Sequence, residues 1–308
     1  MKIEQTTNAN ELYTSTEARK KLGISASTLT NLVNKGIIEK VTPPGYEHGF
    51  YTKRSVDAYH EEQQLFKKSF RLKAEGPPDL QKTEEPDKTA SSEQDTTKET
   101  SKPMFVLATA ADMEEVYKLA QRAINRITPN AEVRQAWLMK NPESSFLVKH
   151  NNKIVAFFHL LPVEPESLKE FIEGKIRGWE IRYEDIETFE PGKPLECFVI
   201  IASEQETDKA TRENYVRVLI RGIMRKLEEL GQRGVIITKV YATSETPTGI
   251  AMSMHSGMKE LDIKLGKRLA FMIDIDKSNS RLLRGYKREL AKWKKEQEKG
   301  TTKQKQTA

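Results

Sequence analysis

Thr14-Ser-Thr-Glu-Ala-Arg-Lys-Lys-Leu-Gly-Ile-Ser25 and Ala26-Ser-Thr-Leu-Thr-Asn-Leu-Val-Asn-Lys-Gly36 read as two short helices separated by a tight turn. Thr14 stands three residues before Glu17, the spacing of a capping box, so a helix starts there and runs to Leu22. Gly23 ends it where a positive φ is needed, and Ile24 turns back into a small core. Ser25 caps a second helix, Ala26 to about Lys35, stopped by Gly36. Leu29, Leu32 and Val33 share one face of that helix, and Ser27, Thr28, Thr30, Asn31 and Asn34 share the other. Ile37 to Val41 and Phe50 to Thr52 read as two strands joined by Thr42-Pro-Pro-Gly-Tyr-Glu-His-Gly49. Lys53 and Arg54 follow, and Ser55 caps a third helix. Hydroxyl and amide side chains on an exposed helical face suit base edges and phosphates in a major groove.

Residues 12–59 resemble the winged helix-turn-helix of the MerR and excisionase families. The resemblance rests on Tyr13-Thr-Ser-Thr-Glu-Ala18, Leu22-Gly-Ile-Ser25, Thr28-Leu29, Lys35-Gly-Ile-Ile38 and Phe50-Tyr51. It implies that the second helix enters the major groove of double-stranded DNA while the wing touches the flanking backbone. Carried over by position, Ser27, Thr28, Asn31 and Asn34 face bases, with Thr30 beside them. Lys35, His48, Lys53 and Arg54 face phosphates. MerR relatives often carry an arginine and a tyrosine early in this helix, where the chain has Thr30 and Asn31, so the target sequence does not carry over. A fold of this kind also binds protein, and that alternative stands beside the first.

A chain of 308 residues suggests two domains, and 37% hydrophobic residues suggests solvated segments between them. One cysteine, Cys197, excludes a disulfide framework and suits a reducing cytoplasm. The first residues, Met1-Lys-Ile-Glu-Gln-Thr, form no apolar signal region, and no stretch has the length of a membrane span, so a soluble cytoplasmic protein is expected. Five histidines, at 48, 60, 150, 159 and 255, are scattered without paired Cys/His spacing, so no metal site is expected. Charge is uneven. Residues 1–73 hold 12 Lys/Arg against 8 Asp/Glu, residues 74–103 hold 4 against 8, and residues 277–308 hold 11 against 3. Basic ends on a near-neutral body fit a nucleic-acid binder.

Residues 74–103 form a linker almost free of apolar side chains, too polar to order itself, with a mean span of roughly 30 Å. The parts on either side are tethered and need not pack together. Before it, Val56, Tyr59, Gln63, Phe66 and Phe70 form an a/d seam of about two heptads. The seam, within a helix over 55–73, either pairs two copies as a homodimer or covers the N-terminal core.

From Met104 to Asp276 strands and helices alternate, as in an α/β domain with a mixed sheet. Phe105–Ala108, a hairpin around Asn151-Asn152, Cys197–Ala202, Val235–Ala242 and Arg268–Ile275 read as strands. Helices are expected from Asp112, over Ala131–Lys140, over Thr211–Leu230 and over Thr248–Leu261, with a polar insertion at about Glu166–Pro194. That order, with Gly257-Met258 closing the last helix, resembles a GNAT-type N-acetyltransferase over about 170 residues. The resemblance implies that acetyl-coenzyme A lies against Ile200, Ile201 and Ala202. Its pyrophosphate would then sit near Arg212-Glu-Asn-Tyr215-Val-Arg217, where the family has Gln/Arg-x-x-Gly-x-Gly/Ala. Arg212 keeps the pattern, but Tyr215 and Arg217 replace its glycines and are expected to fill that space. The family's tyrosine acid maps to Ser253, whose hydroxyl is too weak an acid. Glu204 and His255 are the candidate base and acid, with Glu196 and Tyr241 as substitutes.

Ser278–Lys299 reads as a basic amphipathic helix striped by Leu282, Leu283, Tyr286, Leu290 and Trp293, with disorder from Gly300. It meets DNA phosphates, an acidic surface or a membrane face, or docks on its own domain. The chain is thus a multidomain protein: a small winged helix-turn-helix (1–73), a linker (74–103), a GNAT-like α/β domain (104–276) and a basic tail (277–308). Three functions fit. One is a transcriptional regulator whose larger domain senses a small-molecule effector or mediates assembly. The second is an acetyltransferase targeted to DNA, and the third a DNA-architectural factor similar to excisionases.

Overall fold

The computed structural model describes residues 11–43, 46, 48–71, 102–124, 128–204, 208–263, 265 and 268–306. The linker expected over 74–103 lies outside these but for its last two residues.

The N-terminal part follows the local signals closely. α1 (Ser15–Leu22) opens on the expected capping box: the Thr14 hydroxyl accepts from the Glu17 N–H, and the Glu17 carboxylate accepts from the Thr14 N–H at 2.8 Å. Gly23, at φ 65°, closes it in the left-handed region. α2 (Ala26–Asn34) starts where the Ser25 hydroxyl accepts from the Thr28 N–H at 3.1 Å. β1 (Leu12–Tyr13), β2 (Lys40–Val41) and β3 (Phe50–Thr52) form an antiparallel sheet in the order β1-β3-β2. β2 is shorter than expected. The Ile37 and Ile38 N–H groups donate to the Leu32 carbonyl, so both side chains turn into the core instead of joining the strand. α3 (Lys53–Arg71) begins two residues before Ser55. Ser55 therefore does not cap it; its hydroxyl accepts from Glu39 N–H and donates to the Thr52 carbonyl, tying the hairpin to the helix.

The larger part is a seven-stranded mixed sheet. Its strands are β4 (Met104–Leu107), β5 (Ser145–His150), β6 (Lys153–Pro162), β7 (Pro194–Ser203), β8 (Ile236–Ser244), β9 (Lys259–Glu260) and β10 (Leu269–Asp274), in the order β4-β5-β6-β7-β8-β10-β9. Every pairing is antiparallel except β7 with β8. Asn151 and Asn152, at φ 50° and 60°, make the tight β5–β6 turn. β6 is buried along nearly its whole length because helices cover both faces. Phe146 and Phe158 belong with α7 (Lys209–Gln232), whereas Leu147 and Phe157 belong with α4 (Met113–Ile124) and α5 (Ala131–Lys140). The insertion after β6 is not wholly irregular: α6 (Pro165–Ile172) buries Leu168, Phe171 and Ile172. α8 (Pro247–His255) stops earlier than expected, at Gly257 with φ 87°, so that Lys259 and Glu260 join the sheet edge.

α9 (Arg284–Gln306) starts later than expected and continues through Gly300, since one glycine among helix formers costs only about 1 kcal/mol. It docks on its own body. The Tyr286 hydroxyl, buried, accepts from the Ile237 N–H at 2.6 Å and donates to the Val235 carbonyl at 2.9 Å.

The two parts are also packed together, contrary to the expectation of independent tethered domains. α3 lies on α7 and α8, and one cluster of buried side chains runs from Leu22 and Leu29 through Val56 and Tyr59 to Ile250 and Ala251. Val56 and Tyr59, the start of the expected dimer seam, are buried within the chain at 0% and 2% exposure. The side chains of Phe66 and Phe70 lie outside those described.

Gly231 sets the distance between α7 and α9: a Cβ there would meet the Tyr286 carbonyl oxygen at 2.6 Å. Glycine to alanine in a helix interior normally stabilises by about 1 kcal/mol. Here the sign reverses, and Gly231→Ala lowers the unfolding free energy by about 1–3 kcal/mol in urea titration of the full chain. An unchanged or raised midpoint would contradict this close approach.

Candidate functional site

β7 and β8 run side by side only from Pro194/Ile236 to Phe198/Tyr241. Beyond that point β7 continues to Ser203, paired to β6 alone, and β8 continues to Ser244, paired to β10 alone. The strands have parted, and a cavity of about 1150 Å³ opens between them. Phe198–Ser203 form one wall and Ala242–Thr246 the other; Val216 and Leu219 of α7 and Met252, Ser253 and Ser256 of α8 close the inner side. Phe171, Trp179 and Arg268 stand at the other end, with the Arg268 guanidinium 5.5 Å above the Phe171 ring. Backbone groups on a parted strand edge need partners that a bound chain can supply.

One wall is held by a buried network that the sequence gave no reason to suspect. Arg134 is fully buried, donating to the Pro129 carbonyl at 2.9 Å, the Thr128 hydroxyl at 2.9 Å and His159 Nε2 at 2.7 Å. Thr128 and Pro129 line the cavity, so the guanidinium fixes that rim. With Nε2 accepting, His159 carries its proton on Nδ1 and donates it to Ser145 Oγ at 2.7 Å. Burial, and then the Arg134 charge, hold the His159 pKa well below its usual value.

The residues expected to touch a cofactor separate into two groups. Ile200, Ile201 and Ala202 line the cavity as expected. Arg212, Tyr215 and Arg217 do not: they lie within the first turns of α7, behind the cavity wall. Tyr215 is buried and its hydroxyl bonds to His150 Nδ1 at 2.8 Å, on β5, so its ring does not fill the cavity. Arg212 pairs instead with Glu62 of α3 at 3.4 Å.

The expected base and acid do not come together. Glu204 follows β7 and pairs with Arg122 at 3.3 Å, and neither it nor His255, the last residue of α8, lines the cavity. The Ser253 hydroxyl lines it but donates to the Gly249 carbonyl at 2.9 Å. Glu196 and Tyr241 do meet: Glu196 Oε2 accepts from the Tyr241 hydroxyl at 3.0 Å and Oε1 from Lys239 at 2.6 Å. Burial, and then Glu196, raise the Tyr241 pKa, and the bond to Glu196 raises that of Lys239. Lys239 escaped the sequence reading; its i, i+2 relation to Tyr241 on a strand was the available signal. The described cavity wall carries only four charged side chains, Glu173, Arg177, Glu245 and Arg268. Cys197 is buried, its thiol pushed up by burial, and no group of three metal-binding side chains occurs among the described residues. No described helix is long and apolar enough to cross a membrane.

In the N-terminal part, Ser27, Thr30, Asn31, Asn34, His48 and Arg54 are exposed, while Thr28, Lys35 and Lys53 are half-buried. The Thr30 hydroxyl donates to the Ala26 carbonyl at 3.1 Å, and the Ser27 and Thr28 hydroxyls bond to Ser25, each at 2.8 Å. Lys53 lies over the Tyr13 ring at 5.3 Å, and Lys35 is ion-paired with Glu260 of β9.

Among solved structures, ribosomal-protein-alanine N-acetyltransferase from Brucella melitensis is similar over 56% of this chain and 99% of its own, at 14% identity and a TM-score of 0.35. The loading GNATL domain of CurA from Lyngbya majuscula is similar over 58% of this chain and 100% of its own, at 12% identity and a TM-score of 0.40. For yncA from Salmonella typhimurium, solved with its cofactor acetyl-CoA, the values are 59%, 98%, 11% and 0.36. No family model and no curated protein matches the sequence.

The neutral, buried His159 predicts a pH dependence of stability. The unfolded chain takes up a proton at this residue below about pH 6.5, whereas the native chain resists it until a lower pH. Stability is full above that value and falls as the pH drops, by at most about 1.4 kcal/mol per pH unit. Urea midpoints measured at about pH 7.5 and about pH 5.5 should differ in that sense. A flat profile would contradict the assignment.

Proposed function

We propose that this chain is a DNA-binding regulator whose larger body, GNAT-like in its element order, binds an acyl-coenzyme A-type thioester as an effector without efficient acetyl transfer. The observation carrying this reading is the parting of β7 from β8 after Phe198 and Tyr241, beside a cavity of about 1150 Å³. A pantetheine arm is an extended chain with two amides. It matches the hydrogen-bonding needs of the free edge over Val199–Ser203, as an added strand would. The cavity's size suits a coenzyme arm, and its Ile200, Ile201, Val216, Leu219 and Met252 suit an acyl chain. Tyr215, turned to His150, leaves that space open. If the coenzyme binds there, it brings a thioester; the chain's own residues hold and orient it.

The scarcity of proton-transfer groups at the cavity supports sensing over catalysis. Ser253 stands where an acid would, with its hydroxyl already bonded, and a serine hydroxyl does not titrate near neutral pH. For the N-terminal module, the exposed amides of Asn31 and Asn34 and the hydroxyl of Ser27 on one face of α2 support base reading in a DNA major groove. Arg54 and His48 beside them suit phosphates. An acetyltransferase using Glu196 and Tyr241 is the second reading, favoured by their 3.0 Å contact on β7 and β8.

Coenzyme A at a hundred times its Kd should raise the unfolding free energy of the full chain by about 2.7 kcal/mol. Ile201→Trp, filling the cleft, should remove that shift while leaving the far-ultraviolet dichroism unchanged. A full shift in the variant, or none in the parent, would dismiss the cleft as the binding site. Separately, Asn31→Ala should weaken binding to a selected DNA site by about 1–3 kcal/mol, with non-specific affinity unaltered. Equal behaviour of parent and variant on both DNAs would take Asn31 out of base reading.

A further inference from the structure

The first turn of α7 follows β7 at the cavity and presents two cations, Lys209 and Arg212. Both are met by carboxylates of α3 in the N-terminal module. Glu61 approaches Lys209 at 3.6 Å, and Glu62 approaches Arg212 at 3.4 Å. Glu62 also bonds to Thr248, a residue of the cavity wall. A helix N-terminus bearing two cations is favourable for an anion, and here the anion is a side chain from the same polypeptide.

The seat is imperfect. Glu62 is only 9% exposed, yet its Oε2 is buried without a hydrogen-bond partner, as are Gln63 Oε1 and Arg212 Nε. Burial raises the Glu62 pKa in spite of Arg212. A buried carboxylate with one oxygen unsatisfied costs more to keep than a fully bonded one, and a long pair returns little of that cost. The apolar part of the contact, Val56 and Tyr59 against α8, with the Tyr59 hydroxyl 3.7 Å from Met254 Sδ, holds the helix in place against this strain. Lys35, ion-paired with Glu260, ties the end of α2 to the same body.

We propose that Glu61 and Glu62 of α3 occupy the phosphate-binding end of the coenzyme cleft, so that a phosphorylated coenzyme and the docked N-terminal module compete for Lys209 and Arg212. This rests on the cleft reading above. Phosphate oxygens satisfy Arg212 more fully than the single long contact from Glu62 does. Binding then lifts α3 from α7 and α8, breaks the tie between Lys35 and Glu260, and frees that lysine for a DNA phosphate. Effector occupancy thereby changes the freedom of the DNA-reading helix without any contact between effector and DNA.

Calorimetric titration of coenzyme A into three forms of the full chain tests this. Glu61→Gln with Glu62→Gln removes the competing charges and should bind at least about tenfold more tightly than the parent. Lys35→Cys with Glu260→Cys, joined by a short bismaleimide, locks the module down and should bind at least about tenfold more weakly than the same variant left unjoined. Cys197 is buried and spared by the reagent. Equal affinity in parent, charge variant and locked form would overturn the competition and leave the cleft reading intact. Absence of binding in all forms, the charge variant included, would overturn both. Since the charge variant alone could misfold, the joined and unjoined pair decides the matter independently.

Discussion

Five residues of parallel pairing between β7 and β8, and the abrupt end of that pairing, govern the larger part of this molecule. A sheet that stayed closed to Ser203 would have satisfied its own backbone and left no cavity. The strands part where side chains from both flanking helices enter the gap. Val216 and Leu219 of α7 and Met252 of α8 pack beneath it and hold the opening as a lined space. The Arg134 network stiffens the facing rim through Thr128 and Pro129, with the cation bonded in full and no carboxylate beside it among its hydrogen bonds. A buried guanidinium of this kind is stable only because each of its bonds has a fixed partner.

The same parting decides what the N-terminal module can touch. Because α7 begins at the end of β7 and α8 follows β8, the two helices form a shelf beside the cavity, and α3 rests on that shelf. Hydrophobic contact through Val56 and Tyr59 supplies most of the attraction, while Glu61 and Glu62 bring charge to the shelf's one cationic corner. Apolar contact is indifferent to ligands, but the charged corner is not. Coupling between the modules therefore rests on the weaker part of the interface.

Local chemistry was legible in the sequence wherever it was self-contained. The Thr14–Glu17 capping box, the Ser25 cap, Gly23 and the Asn151-Asn152 turn need only neighbours a few residues away, and each appears where expected. Strand positions were legible to within about two residues, and so was the cavity wall at Ile200–Ala202. What depended on distant partners was not. Tyr215 read as an obstruction because nothing in the sequence announces His150 as its partner, 65 residues away. Arg212 read as a phosphate ligand because its contact with Glu62 crosses the whole linker. Glu204 and His255 read as a base and an acid from residue type alone, and the fold gives each another neighbourhood. Ser55 read as a cap although the hairpin claims its hydroxyl.

Backbone amide hydrogen exchange of the full chain, with and without saturating coenzyme A, tests the cleft most directly. The account predicts that the amides of Val199–Ser203, on the parted edge of β7, gain protection while the already paired Leu195–Cys197 amides do not change. Protection elsewhere with Val199–Ser203 unaltered would contradict it.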